Sequence, residues 1–188
     1  MSDAARHLNE PFELRNGASA TLRAIRGDDR ERLQTAFRAL ETESVYLRYF
    51  SYKQALSEAD LDRLCNPDFH ERVVLVVTQQ TAGGEVIVGS GGYVAETAAA
   101  GARAAEVAFA IEEDVQGQGI SGRLLAVLAR LARADGVDRF DAEVLARNTA
   151  MLRVFERSGL PMQVRRQEAG VVRVSLSLAA PSPPAAFR

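Results

Sequence analysis

The stretch Val115-Gln116-Gly117-Gln118-Gly119-Ile120-Ser121-Gly122 constrains this chain more than any other. It stands between an alternating segment, residues 103–111, and a run with Leu124, Val127, Leu128 and Leu131 at helical spacing. Arg123, Arg130 and Arg133 fall off that apolar face, so the spacing predicts an amphipathic helix over 120–134. Gly136 closes it as a left-handed cap. Small residues in the connecting loop let a ligand approach the backbone, and free amides at a helix start carry partial positive charge. The ligand such a loop suits is a phosphate or pyrophosphate; a plain linking turn is the alternative.

The order of the other elements sets the fold class. Residues 1–18 read as a loose, flexible leader and 20–25 as a strand. Helices follow over 29–40 and 44–50, and Ser57-x-x-Asp60 has the pattern of a capping box opening a third, which stops near Asn66-Pro67. Residues 72–78 and 85–94 form a hairpin around Gly83-Gly84, and 98–102 is a loop before the strand 103–111. After the glycine loop and its helix come a strand over 139–144, a helix over 149–157 stopped by Gly159, and a closing hairpin of 162–166 with 171–178. The strand–helix–strand unit at 103–144 requires a parallel pair, whereas the meander before it is antiparallel. The expectation is a single mixed-sheet α/β (α+β) domain over 19–178, with a disordered tail at 179–188 carrying Pro181, Pro183 and Pro184.

Composition excludes several classes. The chain has 188 residues, 47% hydrophobic and 26% charged, as an ordinary soluble globule does. A formal charge of -2 gives no net attraction to nucleic acid or anionic lipid. Cys65 is the one cysteine, so no internal disulfide forms, and His7 and His70 leave little for a zinc site. The leader is too polar for a signal peptide, and the apolar run around 73–77 is far too short to span a bilayer. A cytoplasmic protein with no membrane contact, monomer or homodimer, is expected.

Two frames fit the glycine loop. Gly117-x-Gly119-x-x-Gly122, with Asp141 further on, matches the dinucleotide fingerprint and its ribose-binding acid. Against it, residues 112–116 separate the loop from its strand, a meander precedes it, and too few residues follow Gly122 for a doubly wound sheet. In the other frame, Gln116-x-x-Gly119-x-Ser121 resembles the Gln/Arg-x-x-Gly-x-Gly/Ala signature of the GNAT superfamily of N-acetyltransferases, with Ser121 where Gly or Ala is usual. Asn148-x-x-Met151, Phe155 and Gly159-Leu160 resemble the second motif of that superfamily. Tyr46-Leu47-Arg48-Tyr49-Phe50, Ala105-Glu106-Val107-Ala108-Phe109 and Asp135-Gly136-Val137 resemble the bacterial Pat-type protein lysine acetyltransferases.

That resemblance implies a GNAT-like, mostly antiparallel sheet of about six to seven strands, and an enzyme that moves an acetyl group from acetyl-CoA to a primary amine, a protein lysine. It implies that Gln116, Gly117, Gln118, Gly119, Ile120 and Ser121 hold the pyrophosphate. Ala108, Phe109 and Ala110 would hold the pantetheine arm, Asn148 would lie near it, and Arg157 would meet a nucleotide phosphate. A lysine amine has a pKa near ~10.4, so something must take its proton before it attacks a thioester. Alternation puts Glu106, Ala108 and Ala110 on one strand face, leaving room beside Glu106. By residues alone Glu106 is equally a general base or an outward-facing strand acid; by the resemblance it is the base. Phe155 stands where many members have a Tyr that protonates the leaving thiolate, and Phe has no proton to give. Tyr46 and Tyr49 read as packing residues. Cys65 reads as a small buried residue rather than an acyl-cysteine nucleophile. The rival readings are a small-amine acetyltransferase, acting on a polyamine or antibiotic, and an acyl-CoA-binding module without catalysis.

Overall fold

β3 (Arg72–Thr81) is the strand around which the structure is built, because residues 73–77 are all apolar and all buried. In the computed structural model, which describes residues 2–40, 55–97 and 102–179, β3 lies inside one eight-stranded sheet. It pairs with β2 (Ser19–Ala24) and with β4 (Gly84–Thr97), the latter through the turn expected at Gly83-Gly84. β4 pairs antiparallel with β5 (Arg103–Ile111), and β5 pairs in parallel with β6 (Arg139–Leu145). Beyond β6 lie β8 (Val171–Ser177) and then β7 (Met162–Arg166), both antiparallel. The mixed sheet with one parallel pair is as the element order requires.

The eighth strand corrects the sequence reading. Residues 1–18 contain α1 (Ser2–Arg6) and β1 (Asn9–Glu13), which pairs antiparallel with β2 and forms the sheet edge. Pro11 sits in that edge strand, where a missing N–H costs no ladder bond on the open side. Ala5 and Leu14 are buried, so the segment is packed. The helix expected at 44–50 lies outside the described residues, as do most of the loop at 98–102 and all of the tail after Ala179. No helix of the described residues is long and apolar enough to cross a membrane.

Strand register sorts the two sheet faces. Gly91 pairs with Phe109 and Tyr93 with Val107 on one face; Gly92 pairs with Ala108 and Val94 with Glu106 on the other. The first face is covered by α4 (Ile120–Ala134) and α5 (Thr149–Arg157): a Cβ at Gly91 would meet Leu124, and the rings of Phe109 and Phe155 lie 6.3 Å apart. The second is covered by α2 (Arg30–Ala39), whose Leu33 and Phe37 are buried, with α3 (Glu58–Cys65) beside it. The capping box expected for α3 is present, with the Ser57 hydroxyl accepting from the Asp60 N–H.

Gly92 allows β3 and β4 to close at this point, since a Cβ there would lie 2.5 Å from the Val73 carbonyl oxygen. Gly92→Ala is expected to lower stability by about 1–3 kcal/mol, as overpacking does. Urea unfolding checks it; an unchanged midpoint would mean that the two strands can part without cost.

One buried ionic cluster pins the start of the domain. Arg23 of β2 is 1% exposed and donates to both carboxylate oxygens of Asp29, at 2.7 and 2.8 Å, and to Glu85 of β4. Asp29 also accepts from the Arg26 backbone N–H. Burial alone would push the Asp29 carboxyl up, but the bonds from Arg23 and Arg26 and the nearby charges hold it below the usual carboxylate range.

Candidate active site

β5 carries the site because its sequence alternates and its end leads, through one short turn, into the glycine loop. Glu106, Ala108, Ala110 and Glu112 line one cavity of about 180 Å³, floored by Ser90 and Gly92 and walled by Leu33 and Phe37 of α2. Leu40, Leu56 and Leu64 add apolar surface to the wall. The expected grouping of Glu106 with the two alanines is therefore present, and Glu106 is exposed at the cavity. Phe109 points to the opposite face, where it packs on Phe155.

Glu112 was not singled out from the sequence, although the same alternation continues to it. Burial raises its carboxyl above the ordinary range, and the adjacent charges of Asp114 and Glu113 add to the rise. The cavity thus joins a long apolar wall to two acidic groups. Such a cavity suits a ligand with an aliphatic stem and a cationic head.

The parallel pairing of β5 with β6 stops early. It covers Ala104↔Arg139, Ala105↔Phe140 and Glu106↔Asp141, yet β5 runs on to Ile111 and β6 to Leu145. From Val107 onward β5 has no strand partner on its β6 side among the described residues; the ladder with β4 takes the N–H and C=O of Ala108 and Ala110, and those of Phe109 between them face the open seam. Unpaired backbone groups of this kind seek a partner with amide character.

At the end of β5 a short turn over Glu113–Val115 leads into the loop. Gly117 and Gly119 have φ of 74° and 92°, the left-handed region that glycine enters without strain. Gly119 is the N-cap of α4 and Ile120 its first residue. Ser121 lies within the first turn and is not among the positive-φ residues, so serine replaces Gly or Ala there at no backbone cost. The Gln116 side chain donates to the Ile111 carbonyl, and the Gln118 side chain accepts from the Asn16 N–H. Both glutamines therefore help hold the loop's shape.

The dinucleotide frame fails on three counts. The turn over Glu113–Val115 separates the loop from β5, the sheet has one parallel pair, and the expected ribose acid is already bonded. Asp141 is 7% exposed and accepts from the Ser175 hydroxyl and from Arg139.

The remaining candidates divide by place. The Asn148 side chain caps α5 by accepting from the Met151 N–H at 3.1 Å, and Arg157 is exposed in the last turn of the same helix. They sit at opposite ends of α5, so they cannot serve one point. Phe155 is 1% exposed and is a core residue, without a proton to give. Cys65 is buried, and burial pushes its thiol above the usual range, which makes it a poor nucleophile. Tyr46 and Tyr49 lie outside the described residues.

Comparison with known proteins gives this arrangement a family. The family described as acetyltransferase (GNAT) domain matches residues 20–161. Over 168 residues, 89% of the chain, the sequence is 31% identical to the acetyltransferase Pat of Mycolicibacterium smegmatis (strain ATCC 700084 / mc(2)155). The match covers 48% of that protein, so the chain spans about half the length of this relative. The crystal structure of the GNAT domain of S. lividans PAT superposes with a TM-score of 0.79 at 35% identity, covering 90% of this chain and 97% of that one. The structure of yncA from Salmonella typhimurium with its cofactor acetyl-CoA superposes with a TM-score of 0.68 over 89% of this chain and 99% of that one; at 17% identity it shares the fold.

Proposed function

The chain belongs to the GNAT acetyltransferase family, and on that premise we propose that it moves an acetyl group from acetyl-CoA to a protein lysine by direct attack in a ternary complex. The observation that carries the reading is the position of Glu106. It opens into an apolar cavity on the same strand that borders the open seam and leads into the glycine loop.

The residues fit acetyl-CoA at each end. The loop over Gln116, Gly117, Gln118, Gly119, Ile120 and Ser121 combines left-handed glycines with a helix start, a combination suited to a diphosphate. The seam beside Ala108, Phe109 and Ala110 suits the two amides of the pantetheine arm. Asn148 caps α5, whose Phe155 packs on Phe109, and Arg157, exposed and without a hydrogen bond among the described residues, would meet a nucleotide phosphate. The apolar wall suits the lysine stem, and Glu106 and Glu112 favour its cationic head in the cavity.

In the transfer, Glu106 takes one proton from the ammonium, directly or through a water, because the protonated amine has no lone pair to attack with. The amine nitrogen then bonds to the thioester carbon. A backbone N–H in the seam would stabilise the oxyanion that forms, as donors aimed at developing charge do. The carbon–sulfur bond breaks as the carbonyl re-forms, and the amide nitrogen sheds its second proton to solvent. Phe155 offers the thiolate no proton, so the sulfur leaves as the anion or takes a proton from water.

A thiol-release assay with lysine-containing proteins, polyamines and aminoglycosides tests this reading. Release with proteins alone supports it. Release with polyamines or aminoglycosides alone would move the acceptor class to small amines. Uptake of acetyl-CoA without release on any acceptor would leave a binding module.

A further inference from the structure

The hairpin turn between β1 and β2 reaches across to the glycine loop. The Arg15 guanidinium donates to the Gly117 carbonyl at 3.0 Å, and the Arg15 backbone N–H donates to the Gln118 carbonyl at 3.4 Å. Next to it, the Asn16 backbone N–H donates to Oε1 of Gln118 at 3.0 Å. Three bonds thus run from two adjacent residues of the turn to two consecutive loop residues, more than a hundred positions away in sequence.

The same hairpin is fixed to the helix that the loop opens. Glu10 of β1 pairs with Arg123 at 2.9 Å and with Arg130 at 2.6 Å, and the Arg123 guanidinium lies 5.6 Å from the centre of the Phe12 ring. Each contact is exposed and individually weak. Together they keep the turn seated on the loop.

A peptide plane couples the direction of a C=O to that of the next N–H, which points the opposite way. Holding the Gln118 carbonyl toward Arg15 therefore fixes the Gly119 N–H on the far side, while the bond to the Gly117 carbonyl steadies the next peptide, whose Gln118 N–H is donated to the Val115 carbonyl at 3.4 Å. Glycines at φ of 74° and 92° would otherwise be the freest residues in the loop. We propose that Arg15 is a positioning residue for the proposed diphosphate site: the hairpin orders the Gly119 amide before the ligand arrives. This rests on the transferase reading above. Pre-ordering reduces what the ligand must organise on binding, so it appears as affinity. Nε and Nη2 of Arg15 make no hydrogen bond to the described residues, and the added positive charge also favours an anion nearby.

The test compares dissociation constants for acetyl-CoA and for S-acetylpantetheine, which has the same thioester arm and no diphosphate, in the wild type, Arg15→Ala and Arg15→Lys. Arg15 is exposed, so both variants should fold, which melting temperatures check. Arg15→Ala should weaken acetyl-CoA about tenfold, the scale of one charge-assisted hydrogen bond, and leave S-acetylpantetheine within twofold. Arg15→Lys, which keeps one donor and the charge, should fall between. Equal weakening of both ligands would mean general loosening, and unchanged affinity would mean that the loop orders itself; either overturns the proposal. A wild type that refuses acetyl-CoA at millimolar concentration would overturn the transferase reading and this inference with it.

Discussion

Glu106→Gln is expected to slow acetyl transfer by about 10²–10⁴-fold, the usual contribution of a positioned general base, while acetyl-CoA affinity stays within twofold. The substitution keeps the shape of the side chain and removes its capacity to accept a proton together with its negative charge, so a rise in KM for the amine accompanies the fall in kcat. Glu106 is exposed at the cavity and bonds to no described residue, so the loss should not be a folding effect. The pH profile sharpens the test. As pH rises toward the ~10.4 of a lysine amine, more acceptor arrives already neutral, so the variant should recover relative to the wild type. Stopped acetyl transfer at pH 7 and pH 9.5 measures both effects. Equal rates for variant and wild type would place the base elsewhere, and Glu112, the other carboxylate of the cavity, would be next to replace.

The second large effect concerns folding. Asp29→Ala leaves the Arg23 guanidinium buried with only Glu85 to pair with, and removing one partner of a buried pair costs about 3–5 kcal/mol. Glu85 remains, so the low end is expected: about 3 kcal/mol, or a melting temperature lower by roughly 6–12 °C. Arg63, exposed and paired with Asp60, is the internal control, because Arg63→Ala should cost about 0.5 kcal/mol or less. The carboxyls of Asp29, Glu85 and Asp68 all lie below the usual range in the folded chain. Their stabilisation is complete above the ordinary carboxylate range and is lost as pH falls through the lowered folded values. Asp29→Ala should therefore flatten the acid limb of stability as well as lower the plateau. A variant that loses less than 1 kcal/mol with an unchanged acid limb would show that Glu85 alone satisfies Arg23.

Local chemistry made much of this legible. The helix over 120–134 was visible because Leu124, Val127, Leu128 and Leu131 recur at its period, and the cavity face of β5 because small and acidic residues alternate with larger ones. The capping box at Ser57 and the left-handed Gly136 follow from single residues whose chemistry has few other uses. What could not be read was whatever depends on a distant partner. β1 is an edge strand of mixed polarity, and only its pairing with β2 and the two arginines facing Glu10 make Asn9–Glu13 a strand. Asp141 fitted a ribose-binding spacing until the register of β6 and β8 put Ser175 on it, beside Arg139 of its own strand. Glu112 continues the alternation of Glu106, Ala108 and Ala110, but the burial that raises its carboxyl depends on what packs against it, which no spacing reveals.

Thermal melting with acetyl-CoA and with NAD tests most directly whether a thioester carrier is the ligand of the glycine loop. At a concentration near 100 Kd, acetyl-CoA should add about 2.7 kcal/mol and raise the melting temperature by roughly 5–10 °C, while NAD leaves it unchanged. A melting temperature indifferent to millimolar acetyl-CoA, or one raised by NAD instead, would contradict it.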